Sequence, residues 1–272
     1  MVLSLKANLI NVYMLTITIT SLSGGQGKTT TALFLGRLLS RQGYPTLMVD
    51  ADPQHNLTTY LGFELEPKEP TLLEFIKKTV ETEDCIYSTT YNDNLFLIPS
   101  DDQLDTVQDY LSNSGVGATL LKRRLEAVDK IFKVCIIDAP PQRSQICLTV
   151  IGAADVLLIP AEASVKGYGS LVRTLDLLNG LQDVGATNAQ VLGVLPFRDR
   201  WFGKTQAQES RAAVEGMRDE VTEDLVLPSI RESERYKQAI NKRTTLGELG
   251  YTELEYPFEV LTEKISKLIG SK

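Results

Sequence analysis

Residues 21–30 read SLSGGQGKTT, and three glycines, a lysine and two threonines at this spacing can hold a phosphate chain. Gly24, Gly25 and Gly27 permit positive φ and close backbone approach, so several N–H groups can converge on phosphate oxygens. Ser23, Gln26 and Thr30 complete the segment that would wrap the nucleotide. Lys28 is placed to reach the β- and γ-phosphates, and the Thr29 hydroxyl to coordinate Mg²⁺. Acids follow in two further segments: Asp50 and Asp52 in MVDADPQHN, and Asp138 in VCIIDAPP. A lone aspartate at a strand end is ordinarily a cap or turn former. Three of them behind a phosphate loop point instead to the metal and water of a nucleotide hydrolase, with Thr29, Asp52 and Asp138 as the metal candidates. No NKxD guanine-reading motif lies downstream, which favours ATP over GTP.

Chemistry of this kind needs strands that end together. Short apolar runs rich in β-branched residues recur at 15–22, 46–50, 94–99, 133–138, 155–160, 191–197 and 224–228. Several are too apolar for a half-wet strand and read as buried on both faces. Helix-like stretches lie between them, among them TTALFLGRLLSRQG, closed by Gly43, and YGSLVRTLDLLNG, closed by Gly180. Alternation of this type predicts an α/β fold, a mainly parallel twisted sheet with helices on both faces. Residues 14–272 read as a single domain, and residues 1–13 as an N-terminal extension to which no role is assigned.

The 272 residues carry a net charge of −7. That excludes a protein coated in positive charge but not a local basic patch. No run reaches the roughly 18 apolar residues of a membrane span, and the N-terminus lacks a signal-peptide pattern. Cys85, Cys135 and Cys147 have neither CxxC nor metal spacing, which suits a reducing cytoplasm. His55 is the single histidine, so a His-based metal site or triad is not expected.

SGGQGKTT, DADPQHNLT, LFLIPSDDQLD, VCIIDAPPQ, AADVLLIPAEAS and LPSIRESERYKQAI stand in one order along the chain. With these motifs the sequence resembles the ParA/MinD family of deviant Walker-box ATPases, from about Met14 onwards. The resemblance implies a P-loop NTPase architecture and a slow ATPase with Mg²⁺. Two subunits would close face to face over two ATP molecules, with Asp52 positioning the hydrolytic water. It departs from the family at Ser23, where a lysine reaches across the dimer to the partner's phosphates; a serine is too short. Within the family this serine resembles the carboxysome-positioning branch. A substitute cation must come from a loop on the ligand face of the sheet. Lys166, in PAEASVKGYG, is the first candidate and Arg143, in DAPPQRSQ, its competitor; no replacement at all is the third possibility. Adenine is expected between the loops after VLGVLPF and DLVLP, near Phe197, Pro228, Ser229 and Ile230.

Family members use either the nucleoid or the membrane as a track. The nucleoid reading places non-specific double-stranded DNA on Arg198, Arg200, Lys204, Arg231, Arg235, Lys237, Lys242 and Arg243, through phosphate contacts. It brings with it a cytoplasmic, nucleoid-associated location and a small adaptor protein that links cargo and stimulates hydrolysis. The bland alternative is a solvated face salt-bridged by Glu232 and Glu234. Plasmid or chromosome partition is the alternative cargo. A MinD-like membrane track would need an amphipathic terminal helix, but FEVLTEKISKLIGSK reads more simply as a last helix packed on the sheet. An ATP-dependent metabolic synthetase would need a charged substrate pocket, and the sequence isolates none.

Overall fold

The computed structural model describes residues 13–271, so the N-terminal extension, apart from Tyr13, lies outside the described residues. In chain order the strands are β1 (Leu15–Ile19), β2 (Thr46–Asp50), β3 (Tyr87–Ser88), β4 (Leu95–Ile98), β5 (Val134–Asp138), β6 (Val156–Glu162), β7 (Gln190–Asp199), β8 (Trp201–Phe202), β9 (Thr205–Gln206) and β10 (Ile230–Arg231). The helices are α1 (Lys28–Arg41), α2 (Asn56–Tyr60), α3 (Leu72–Lys77), α4 (Val107–Asn113), α5 (Gly117–Leu125), α6 (Gln145–Ala153), α7 (Val165–Asp183), α8 (Gln208–Glu220), α9 (Arg235–Asn241) and α10 (Thr252–Ser271).

Eight of these strands form one sheet in the order β10-β7-β6-β1-β5-β2-β4-β3. Its pairings are parallel except for β3 with β4. β8 and β9 form a separate hairpin. The central strands are buried along their whole length, which explains their largely apolar sequences. Their side chains alternate between two cores. In β5, Val134 and Ile136 pack with α1, α9 and α10, whereas Cys135 and Ile137 pack with α3 to α6. A third cluster joins β6 and β7 to α6, α7 and α8. In β1 the polar Thr18 is tolerated because its hydroxyl donates to Val150 O at 2.7 Å.

Two expectations need correction, and the last helix packs on the sheet as expected. The run 224–228 is not a strand: residues 223–225 form a 3₁₀ turn, Val226 makes one bridge to Val194, and pairing resumes only at β10. α7 passes through Gly180 and stops before Gly185 (φ 69), because Leu181 is a buried residue of that helix and extends its apolar face. The last helix begins at Thr252 and accommodates Pro257 within it. Its Phe258, Leu261 and Ile265 are fully buried against the α1 side of the sheet.

Candidate active site

β1, β5 and β2 lie side by side, and their carboxyl ends deliver the loop and the acids to one place. Ile19 is paired with Asp138, and Asp138 with Asp50. The loop turns into α1 at Gly27, whose φ of 90° is a conformation that favours glycine. A side chain there would also strike the Phe197 ring, since a Cβ would lie 2.5 Å from it. The fully buried Gln26 fastens the loop to β6 by accepting from Glu162 N at 2.8 Å. α7 fastens the start of the loop: Ser21 Oγ and Ser170 Oγ share a hydrogen bond of 3.0 Å, and Leu22 N donates to Thr174 Oγ1 at 3.1 Å.

A cavity of about 290 Å³ opens above this loop, lined by Gly24 to Thr30 together with Asp52, Gln54, Asn56, Tyr60, Pro141, Phe197 and Arg198. Lys28 is buried and donates from Nζ to Ser23 O at 3.0 Å. Burial pulls its ammonium below the ordinary lysine range, against the opposing influence of Asp138 and Asp52. Asp138 is fully buried, and neither of its carboxylate oxygens has a hydrogen-bond partner. Burial and the neighbouring Asp50 hold its carboxyl well above the usual range, with Thr29 and Lys28 acting in the opposite direction. Asp50 differs: its Oδ2 accepts from Thr58 N and Thr58 Oγ1, both at 2.8 Å, which marks it as a structural acid. Asp52 Oδ1 accepts from Gln54 N at 3.0 Å.

Lys166 reaches the loop. Ser164 caps α7, its Oγ accepting from Gly167 N, and the first turn carries the lysine toward the glycines. Lys166 Nζ donates to Gly24 O at 3.2 Å. Arg143 is exposed and lies near Cys147. Phe197 lines the loop cavity, whereas Pro228 and Ser229 line a separate cavity of about 280 Å³ with Trp201 and Arg231. Ile230 is fully buried in the core. Gln54, Asn56, Tyr60 and Glu162 carried no sequence assignment; the first two stand in the acidic segment after β2, which was the available signal.

Most of the basic residues already have intramolecular partners. Arg200 Nε pairs with Glu232 at 3.1 Å and Lys237 with Glu234 at 3.1 Å. The Arg231 guanidinium lies 4.6 Å from the Trp201 ring centroid and that of Arg235 4.8 Å from Tyr251. The Arg243 guanidinium packs over Gly62. Lys204 and Lys242 are exposed, and Arg198 stands apart at the loop cavity.

A family model described as an AAA domain matches residues 14–186. Maintenance of carboxysome distribution protein A from Synechococcus elongatus is 55% identical over 252 residues, 93% of this chain and 99% of the relative. The chain belongs to the ParA/MinD family. Two solved structures of a ParA/MinD relative, Cyanothece McdA, superimpose on it. The apo form gives a TM-score of 0.90 at 55% identity over 93% of this chain and 100% of that one. An ATP complex of a variant gives 0.91 at 54% identity over 93% and 97%. The doubly wound sheet and loop-to-helix junction are thus those of a ParA/MinD P-loop fold. Among the described residues no helix is long and apolar enough to cross a membrane.

Proposed function

We propose that this protein is a positioning ATPase that distributes carboxysomes, using ATP binding and hydrolysis to switch its hold on nucleoid DNA. The observation that carries the reading is Lys166 at the phosphate loop, a cation supplied by α7 where Ser23 cannot supply one. The resemblance to a carboxysome distribution protein over nearly the whole chain supports the cargo assignment.

The residues divide the chemistry between them. Backbone N–H groups of Gly24 to Thr30 and the N-terminus of α1 receive the phosphates of ATP. Lys28, already stripped of water, gains a charge partner when the β- and γ-phosphates enter. Thr29 and the unpartnered Asp138 carboxylate form a hard-oxygen set suited to Mg²⁺. No cluster of three or more acidic, histidine or cysteine side chains among the described residues could hold the ion without the nucleotide. When bound, the ion would neutralise charge on the phosphates. Asp52, fixed by Gln54 N, orients the attacking water at the cavity wall. ATP then closes two subunits over their nucleotides, with Lys166 reaching the partner's phosphates.

The dimer doubles a weak basic surface, so DNA is held non-specifically while ATP lasts. An adaptor protein that accelerates hydrolysis releases it. The burial of α10's apolar face against the sheet supports a nucleoid rather than a lipid track. The test is retention of random duplex DNA with ATP or ADP, beside steady-state phosphate release. Wild type should retain DNA with ATP only. Asp52→Ala should bind ATP and retain DNA but release no phosphate, and Lys166→Ala should lose retention. DNA retention that ignores the nucleotide would overturn the proposal.

A further inference from the structure

Arg198 lies apart from the basic cluster with which its position in the sequence groups it. It lines the cavity over the phosphate loop. Its guanidinium carbon is 5.7 Å from the centroid of the Phe197 ring, which itself covers Gly27. A Cβ placed on Gly25 would lie 4.0 Å from Arg198 Nη1. The backbone that aims it there is unusual, with φ of 53° in the left-handed region that favours glycine. Asp199 holds that turn from the next position, its carboxylate accepting from Trp201 Nε1 and Gln206 Nε2, both at 2.9 Å.

The present partner of Arg198 is a loose one. Nη1 stands 3.8 Å from Glu162 Oε1, with about half of the arginine side chain exposed. Glu162 is better held: its N–H donates to Gln26, and its Oε2 accepts from Ser164 Oγ at 3.2 Å. The backbone of Glu162 is therefore fixed to the loop's own anchor and its carboxylate to the cap of α7, while the guanidinium is tethered weakly beside the cavity. A polyanion entering that cavity is a stronger, bidentate partner for a guanidinium than one carboxylate oxygen at 3.8 Å.

We propose that Arg198 is a nucleotide-binding residue that exchanges Glu162 for the phosphate chain of ATP when the nucleotide enters. The inference rests on the reading of the loop cavity as the ATP site. Glu162 acts as a competitor, holding the guanidinium beside the loop and lowering affinity until phosphate displaces it. Arg198 belongs with Lys28, not with a DNA surface.

The test is titration of a fluorescent ATP analogue with Mg²⁺ into wild type, Arg198→Gln, Arg198→Gly, Arg198→Lys, Glu162→Gln and the Arg198→Gln/Glu162→Gln double variant. Arg198→Gln and Arg198→Gly should each weaken binding by about tenfold, the loss of one charge-assisted contact. Arg198→Gly relaxes the backbone, so it should melt no lower than wild type, which separates lost binding from lost folding. Arg198→Lys should recover part of the affinity. Glu162→Gln should bind more tightly than wild type, and the double variant should lose that gain. Adenosine binding should be the same in all of them. Wild-type ATP affinity in Arg198→Gln would overturn the inference, as would a Glu162→Gln gain that survives in the double variant. Lys28→Ala separates the two readings. If it binds ATP normally, the cavity is not the ATP site; if it fails while Arg198→Gln does not, only the role of Arg198 falls.

Discussion

Two buried carboxylates, Asp50 and Asp138, face each other across β2 and β5, yet only one has hydrogen-bond donors. The isolation of Asp138 is costly in the nucleotide-free protein, because a buried polar group without a partner loses about 1–3 kcal/mol of solvation. Asp138→Asn should therefore raise the urea midpoint of the nucleotide-free protein while abolishing phosphate release. A variant that is both less stable and inactive would show the carboxylate to be structural instead. Asp50 supplies a pH signature. Its carboxyl is pushed up to about 6 from 3.8, chiefly by burial and against its bonds from Thr58. The folded protein thus holds this proton more tightly than the unfolded chain. The contribution is full below the unfolded value and is lost as pH rises through about 6. Its size is on the order of 3 kcal/mol. Urea unfolding at pH 5 and pH 7.5 should show wild type losing more stability between the two than Asp50→Asn does.

At the scale of elements, α7 has the most to answer for, since it anchors the start of the loop and carries Lys166. Gly167 allows that arrangement: a Cβ there would lie 1.9 Å from Glu162 O, a backbone atom that cannot swing away. Gly167→Ala should push the first turn of α7 off β6, costing about 1–3 kcal/mol in thermal or urea unfolding and uncoupling DNA retention from ATP. Ser164→Ala removes the cap and the hydroxyl's bond to Glu162 without a steric clash, and should cost about 1 kcal/mol with the switch kept. The elements that position the site were legible because the strands at the sheet centre, β1, β2 and β5, are buried on both faces and so are rich in apolar residues. The position of Lys166 beside the loop was legible in the same way, from a cation soon after a strand that ends on the ligand face. The run at 224–228 misled because Leu227 is buried beside Gly193 while pairing there is limited to the single bridge between Val226 and Val194, so apolarity reports packing more than a strand. Gly180 misled because it sits in the open, with nothing within 4 Å, where a helix passes through glycine at small cost. The place of Arg198 at the loop cavity was not legible, because no local pattern announces a left-handed arginine. The turn that aims it is set by Asp199 closing on the β8–β9 hairpin.

The whole molecule carries a net charge of −7, so any hold on a polyanion has to come from a local surface and from doubling it in a dimer. That surface is partly neutralised already. Glu232 occupies Arg200 and Glu234 occupies Lys237, both as exposed pairs whose breaking costs little. An exposed acid beside a cation weakens it toward phosphate by competition and by direct repulsion of the strand. On the proposed function, that competition keeps DNA binding weak enough to be reversed by hydrolysis. Glu232→Gln and Glu234→Gln should each tighten ATP-dependent retention of random duplex DNA. Each freed arginine or lysine that contacts a phosphate adds about 0.9 to the steepness of log affinity against log salt. A dimer presents every site twice, so one substitution should steepen the slope by nearly two and the pair by nearly four. Arg200→Gln and Lys237→Gln should change it in the other direction. Equal slopes in all four variants would show that these pairs face solvent, and the search for the DNA contacts would move to Lys204 and Lys242.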